Sequence, residues 1–228
     1  TLARGVGATT AILSVVRGVL LRELPFASPD QRVRVWVENP SKNETRRPVS
    51  LPDLEDWRRL NSVFNGVAAY STLPTGLALA DGGEPVRLHT AYVSADFFST
   101  LGVRPEAGRF ILPAEHVDGR DRLVVISHGL WTTRYASARD IVGRTLRLND
   151  EPYTVVGVMP PEVRFPARDT EAWAPLSVVP ASGIPRTRGT RWLDVMARMR
   201  PGVTVDRARR DMSVIASRLA GEYGDSNA

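Results

Sequence analysis

The sequence predicts a mixed α+β fold in which a discontinuous α/β subdomain is interrupted by a β-rich one. Three observations carry this. Arg32 to Glu38 and Leu193 to Met199, far apart in the chain, both alternate apolar and polar residues, the period of a half-buried strand. Each is followed by a capped amphipathic helix, one starting at Ser50 and one at Thr204. Between them, Gly143 to Pro161 reads as two strands joined by a tight turn.

In chain order, the first 24 residues are the anomaly. Gly5 to Val16 carries no charge, and Gly18 to Leu21 is apolar again between Arg17 and Arg22. A full membrane span needs about 20 apolar residues, and a central arginine costs roughly 2.5 to 3.5 kcal/mol. The residues themselves leave two readings open. One is the distal part of a transmembrane helix, with Arg17 and Arg22 snorkelling at its end. The other is a buried or amphipathic helix of a soluble domain. Leu24 to Pro29 is a proline-rich exit loop, and Val33, Val35 and Val37 form the apolar face of the first strand. Asn39 to Pro48 reads as a polar loop.

Ser50 then caps a helix with Pro52 in its first turn. Asp53, Glu55 and Asp56 sit where the helix dipole favours anions, and Leu54, Trp57 and Leu60 form a buried stripe. Strands are predicted over Val67 to Leu73, Leu77 to Ala80 and Val86 to Val93, the last two joined by the turn Asp81-Gly82-Gly83-Glu84. Ser94 caps a short helix holding Phe97, Phe98 and Leu101, which Gly102 closes. Leu123 to Ile126 is a continuous apolar strand, and Ser127 caps a helix with Leu130, Trp131 and Tyr135 on one side. In the hairpin, Asn149 to Pro152 supply the turn and Pro160-Pro161 stop the second strand. After a loop rich in Pro, Gly and Arg, the last strand presents Leu193, Val195, Ala197 and Met199 to one side. The last helix buries Val205, Ala208, Met212, Ile215 and Leu219.

Charge and composition exclude several functions. The net charge of +5 and pI of about 10.2 invite a nucleic-acid reading. Yet Lys42 is the only lysine, both signs are interspersed, no run of five or six cations occurs, and the 7% aromatics are not interleaved with arginine. No nucleic-acid partner is expected. The basic face of the last helix (Arg207, Arg209, Arg210, Arg218) is broken up by Asp206, Asp211 and Glu222, and reads as a solvated surface. With no cysteine, disulfides, thiolate metal sites and cysteine nucleophiles are excluded. His89, His116 and His128 lack partners at metal-ligand spacing. Ser127-His128 is too close in sequence for a nucleophile and its base, and neither a G-x-S-x-G elbow nor a P-loop is present. No catalytic, cofactor-binding or metal-binding residue is assigned, and no cofactor is expected.

Four stretches carry a family resemblance. They are Val93-Ser94-Ala95-Asp96-Phe97-Phe98 with Leu101-Gly102-Val103 and Gly108-Arg109-Phe110; Val124-Val125-Ile126-Ser127-His128 with Leu130-Trp131 and Tyr135; Ile141 to Asn149 leading to Tyr153-Thr154-Val155-Val156-Gly157-Val158-Met159-Pro160; and Pro201-Gly202-Val203-Thr204. Together they resemble the MacB-like periplasmic core domain of ABC-transporter permeases of the MacB/FtsX type, closest to the duplicated orphan permeases. Residues 5–12 with Val19-Leu20-Leu21-Arg22 are similar to the end of that family's first transmembrane helix.

The resemblance implies a porter-like α/β subdomain over residues 25–72 and 189–228. It implies a β-rich, sabre-like insert over 73–188, preceded at 1–24 by the end of a transmembrane helix. It implies a bacterial inner-membrane protein with this domain on the extracytoplasmic side. The domain would be non-catalytic, relaying conformational change or engaging substrate or a partner. A permease dimer, an ATPase subunit, a periplasmic adaptor protein and the membrane itself are the implied partners. The alternative is a freestanding periplasmic protein-binding module with the same fold.

Overall fold

The computed structural model describes residues 10–12, 31–39, 44–73, 76–81, 84–179, 184 and 186–223. In order, these form β1 (Thr10–Ile12), β2 (Arg32–Asn39), β3 (Glu44–Arg47), β4 (Val49–Ser50), α1 (Leu51–Leu60), β5 (Phe64–Ser71), β6 (Leu77–Leu79), β7 (Val86–Leu88) and β8 (Thr90–Val93). There follow α2 (Phe97–Leu101), β9 (Ala107–Gly108), β10 (Leu123–Ile126), α3 (His128–Tyr135), β11 (Thr145–Leu148), β12 (Glu151–Val158), β13 (Ala172–Pro175), β14 (Arg191–Met199) and α4 (Val205–Tyr223). The chain divides into two compact units. One takes the described residues up to Ala69 and from Ile184 onward; the other takes the described residues of Tyr70–Gly183.

In the first unit β2 lies between β1 and β14, antiparallel to both, with β3 also on β2, β4 on β14, and β5 beside β14. Val33 and Val35 pair with Ala197 and Val195, so the two alternating runs meet in register and bury their apolar faces together. The opposite face of β2 is less polar than its sequence suggests. Trp36 is buried, capped by the Arg46 guanidinium 5.3 Å above its ring, and donates Nε1–H to Glu38 Oε1 at 3.0 Å. Asn39 to Pro48 is not simply a loop: Glu44–Arg47 forms β3, and Arg46 is the residue that closes over Trp36. α1 and α4 lie side by side, burying Leu54 and Trp57 from one and Ala208, Met212, Ile215, Ala216 and Leu219 from the other. Thr204 Oγ1 accepts the Arg207 N–H, so it caps α4 as its position predicts.

The helix expected over residues 1–24 lies outside the described residues except at Thr10–Ile12. There the chain is a strand, pairing antiparallel with Trp36–Glu38, not a helix. The edge of β2 offers unpaired backbone groups, and a segment with β-branched Thr10 and Ile12 satisfies them. Among the described residues no helix is long and apolar enough to cross a membrane.

The second unit is a mixed sheet in the order β8, β13, β10, β12, β11, β6, β7, with β9 on β12. β8 and β13 run parallel, as do β10 and β12, and the other pairs are antiparallel. β10 and β13 are buried almost throughout, so neither alternates; β10 is the apolar run expected over Leu123 to Ile126, and β13 has no counterpart among the expected strands. The strand expected over Val86 to Val93 is broken at His89. Leu88 pairs with β6 and Thr90 with β13, and between them His89 donates its N–H to the Glu171 carboxylate while its carbonyl accepts the Glu171 N–H. The N-cap of α2 is Asp96, two residues beyond the expected Ser94, and the Ser94 carbonyl accepts the Phe97 N–H.

The hairpin is tighter than its turn residues suggest. Asn149 and Asp150 alone form the turn, both with positive φ (50° and 65°), and Pro152 is already paired with Arg147. That pair is a non-hydrogen-bonded one, so the missing proline N–H costs nothing in the ladder. Asn149 also ties the turn to the next strand, its Oδ1 accepting the Ala78 N–H at 2.8 Å and its N–H bonding the Ala78 carbonyl at 2.8 Å. Gly157 is needed for a different reason. A Cβ there would fall 2.2 Å from the Arg109 carbonyl oxygen, because β9 crosses β12 at this point.

Two substitutions check these arguments by urea or thermal unfolding. Asn149→Ala removes the side-chain bond and puts a residue that disfavours φ > 0 in the turn, with an expected loss of about 1 to 2 kcal/mol. Gly157→Ala forces backbone atoms apart, with an expected loss of roughly 1 to 3 kcal/mol.

Candidate functional site

Two places gather charged side chains. The first belongs to the first unit and begins with the spacing of Asp53 and Asp56, three residues apart and therefore on one flank of α1. Ser50 Oγ accepts the Asp53 N–H and donates to Asp53 Oδ2 at 2.7 Å, which fixes the first carboxylate at the helix start. The chain returns 132 residues after Asp56 with Arg188, held in a turn closed by the Thr190 N–H on the Thr187 carbonyl. Arg188 spans both acids, with Nη1 2.9 Å from Asp53 Oδ1 and Nη2 2.6 Å from Asp56 Oδ2. Arg191, at the first position of β14, reaches Asp53 Oδ2 at 3.1 Å, and Arg59 reaches Asp56 Oδ1 at 2.6 Å. The guanidinium of Arg188 lies 3.5 Å over the ring of Tyr223, the last residue of α4.

This cluster joins α1, the segment returning to β14, β14 itself and the end of α4. Asp53 and Asp56 are buried, with side chains 5% and 10% exposed. Burial pushes the Asp56 carboxyl up, but the hydrogen bonds from Arg59 and Arg188 outweigh it and hold Asp56 below the usual carboxylate value. Burial likewise lowers Arg188, and its bonds to Asp56 and Asp53 more than restore it. Asp56 therefore stays ionised and paired at neutral pH, and the cluster fastens chain segments together. Their sequence position, in the first turn of a helix, suggests dipole complementation alone; the arginine partners 132 to 138 residues away give no local sign of themselves.

The second place is in the Tyr70–Gly183 unit, around residues 167–171. A depression of about 350 Å³ is lined by Thr72, Leu73, Arg87, His89 and Asp169 among others. Another of about 370 Å³ is lined by Ser127, His128, Thr133, Arg164, Arg168 and Glu171 among others, and Asp169 and Thr170 border both. His89 Nδ1 lies 2.6 Å from Asp169 Oδ2, with both side chains more than half exposed. His128 Nδ1 lies 2.6 Å from Glu106 Oε2, and the edge of its ring faces Trp131. His116 is half-buried in its loop and joins neither pair.

The hydroxyls nearest these histidines are committed to the backbone. Ser127 Oγ accepts the Leu130 N–H, Thr170 Oγ1 accepts the Ala167 N–H, and Thr133 Oγ1 donates to the Gly129 carbonyl. His89 and His128 each have a carboxylate to orient them. Among the described residues no three His, Asp or Glu side chains stand close enough to hold a metal ion. Both histidine–carboxylate pairs escaped the sequence, since their partners are neither helical nor strand neighbours. The depressions are open and of mixed polarity, and suit surface contact better than enclosure of a small apolar ligand.

Residues 1–215 match the family model of the MacB-like periplasmic core domain, and the chain belongs to that family. No curated protein matches it. Among solved structures it resembles the periplasmic region of MacB from Actinobacillus actinomycetemcomitans, at 16% identity and a TM-score of 0.60 over 96% of this chain and 87% of that one. It also resembles the extracellular domain of the noncanonic ABC-type transporter YknZ from Gram-positive bacteria, at 13% identity and a TM-score of 0.58 over 76% and 85% of the two chains. A domain of a putative permease protein from Porphyromonas gingivalis matches at 17% identity and a TM-score of 0.58, over 78% and 79%. At such identities the shared property is the fold.

Arg188→Ala leaves two buried carboxylates short of their partner, and the expected loss in unfolding free energy is about 3 kcal/mol. The acid limb isolates Asp56. Its folded pKa lies below the unfolded value of about 3.9, so its contribution is present above that value and lost as pH falls through the folded one. Wild type is therefore expected to exceed Asp56→Asn in thermal midpoint near neutrality, with the gap closing as the pH is lowered from about 5 toward 2.

Proposed function

We propose that this chain is the extracytoplasmic domain of an ABC-type transporter permease, and that it transmits conformational change without performing covalent chemistry. Family membership supports the setting, and the names of the similar solved structures agree with it. The observation that carries the mechanical reading is the Asp53–Asp56–Arg188–Arg191 cluster. The chain leaves the first unit after Ala69 and returns at Ile184. Asp53 and Asp56 lie on α1, the helix before the departing strand β5, and Arg188 and Arg191 lie just after the return.

A buried multidentate ionic contact at that position clamps together the two segments that carry the intervening 114-residue unit, Tyr70–Gly183. Displacement of that unit is then delivered to a stiff frame instead of being absorbed by two independent linkers. In this reading residues 25–72 and 189–228 form the porter-like part and 73–188 the sabre-like part. A permease dimer, an ATPase subunit and a periplasmic adaptor supply the driving and receiving surfaces.

These 228 residues contain no cysteine, so one placed among them reports location once any cysteine outside them is replaced. Asp118, on an exposed loop, is replaced by cysteine in the full-length gene product. Labelling by a membrane-impermeant maleimide in cells with an intact inner membrane is expected; labelling only after that membrane is breached would overturn the reading. For the relay, Arg188→Ala in the assembled complex is expected to preserve membrane insertion and subunit assembly while uncoupling ATP turnover from transport. Unchanged coupling would remove the cluster from the mechanism.

A further inference from the structure

The outer face of α4 carries a charge pattern that the sequence alone misjudges. Arg207, Arg210, Val214 and Arg218 are spaced three, four and four residues apart. At 3.6 residues per turn they fall within an arc of about 80° and extend over about 16 Å of helix. All four are exposed, and Val214, at 70%, is the most exposed of the large hydrophobic side chains of the described residues.

The acidic residues that interrupt this face in the sequence do not neutralise it in the structure. Asp206 is engaged by Arg209 at 3.5 Å. Asp211 turns to Ser62, accepting its N–H at 3.3 Å and its hydroxyl at 3.1 Å. Glu222 is hydrogen-bonded to Tyr223 at the helix end. Arg207, Arg210 and Arg218 have no carboxylate within ion-pair distance among the described residues, which leaves a row of three uncompensated guanidinium groups around one valine.

We infer that this face of α4 docks on an anionic phospholipid surface, with Arg207, Arg210 and Arg218 pairing to headgroup phosphates and Val214 resting between them. Guanidinium groups match phosphate oxygens bidentately. A protein partner would need an apolar or aromatic centre to supply binding energy. This face offers one valine, and the helix's own apolar stripe is spent on the core through Ala208, Met212, Ile215 and Leu219. A row of exposed cations along one helix suits a diffuse array of phosphates better than a shaped partner. The inference rests on the permease reading only in supposing that a bilayer lies beside this domain.

Binding of residues 1–228 to vesicles of mixed phosphatidylglycerol and phosphatidylcholine, and to vesicles of phosphatidylcholine alone, tests it by cosedimentation. The triple variant Arg207→Gln/Arg210→Gln/Arg218→Gln is expected to lose affinity for the anionic vesicles by about fivefold per arginine, about a hundredfold in all. The corresponding triple lysine variant should stay within about fivefold of wild type, and circular dichroism should show all three chains equally folded. Any contribution from the apolar residues 1–24 is common to all of them and cancels. Raising the ionic strength from about 0.1 M to about 1 M should abolish the difference, since screening shortens to about 3 Å.

Equal binding by wild type and the glutamine variant, equal binding to both vesicle types, or no binding to the anionic vesicles would each overturn the assignment. The last would give the face to an acidic protein surface instead. None of these results bears on the maleimide test of location, so the two readings fail separately.

Discussion

Withdrawing two carboxylates from water costs several kcal/mol each, and the first unit recovers that cost only because three guanidinium groups converge on them. Arg188 is indispensable to this arrangement by geometry. Its planar fork fits two acids on adjacent turns of α1 at once, and its face is covered by Tyr223. A single lysine could satisfy one acid and would leave the other buried and short of a partner. The cluster therefore specifies where the returning chain must lie against α1 before β14 begins, and with it the register in which Val195 and Ala197 meet Val35 and Val33. Apolar burial drives these segments together, but burial alone does not distinguish one sliding position of the strand from another.

The Tyr70–Gly183 unit is organised by close backbone approach. β12 meets β10 on one side and β11 on the other, and at its far end β9 crosses so tightly that Gly157 admits no Cβ. Gly108, paired with Gly157, has a positive φ of 68° and no space for a side chain either. The aromatic residues sit together, with Tyr70, Phe97 and Phe165 in edge and stacked contacts and Phe110 stacked on Phe98 at 4.3 Å. Such a packed and tightly crossed sheet changes shape reluctantly. That stiffness is useful to a body that must be moved whole, and is a poor basis for a site that must close around a substrate.

The charged groups divide accordingly. Inside the first unit they are paired and buried, and they hold chain segments in place. On the outer surface of α4 and around residues 167–171 they are exposed, and they offer contact without enclosure. The two histidine–carboxylate pairs have the orientation that proton transfer requires, but the neighbouring hydroxyls are bound to backbone groups.

What the residues determined by themselves is whatever depends on near neighbours. The alternation of Arg32 to Glu38 and Leu193 to Met199, the caps at Ser50, Ser127 and Thr204, the αL closure at Gly102 and the Asn149-Asp150 turn are all consequences of local sterics and hydrogen bonding, and they are readable because their period or spacing is short. The family motifs belong here too, since Gly157 and its flanking valines record a backbone crossing in a single residue type. The tertiary structure alone decided the rest. β13 is too short and too fully buried to alternate, β3 hides in a polar stretch, and Thr10–Ile12 pairs as a strand inside a segment whose composition suits a helix. Asp53, Asp56 and Asp211 acquire their meaning from Arg188, Arg191 and Ser62, between 132 and 149 residues away. A carboxylate carries no local mark of whether its partner will be water, a helix dipole or an arginine from the far end of the chain, because that choice is made by packing after the elements have formed.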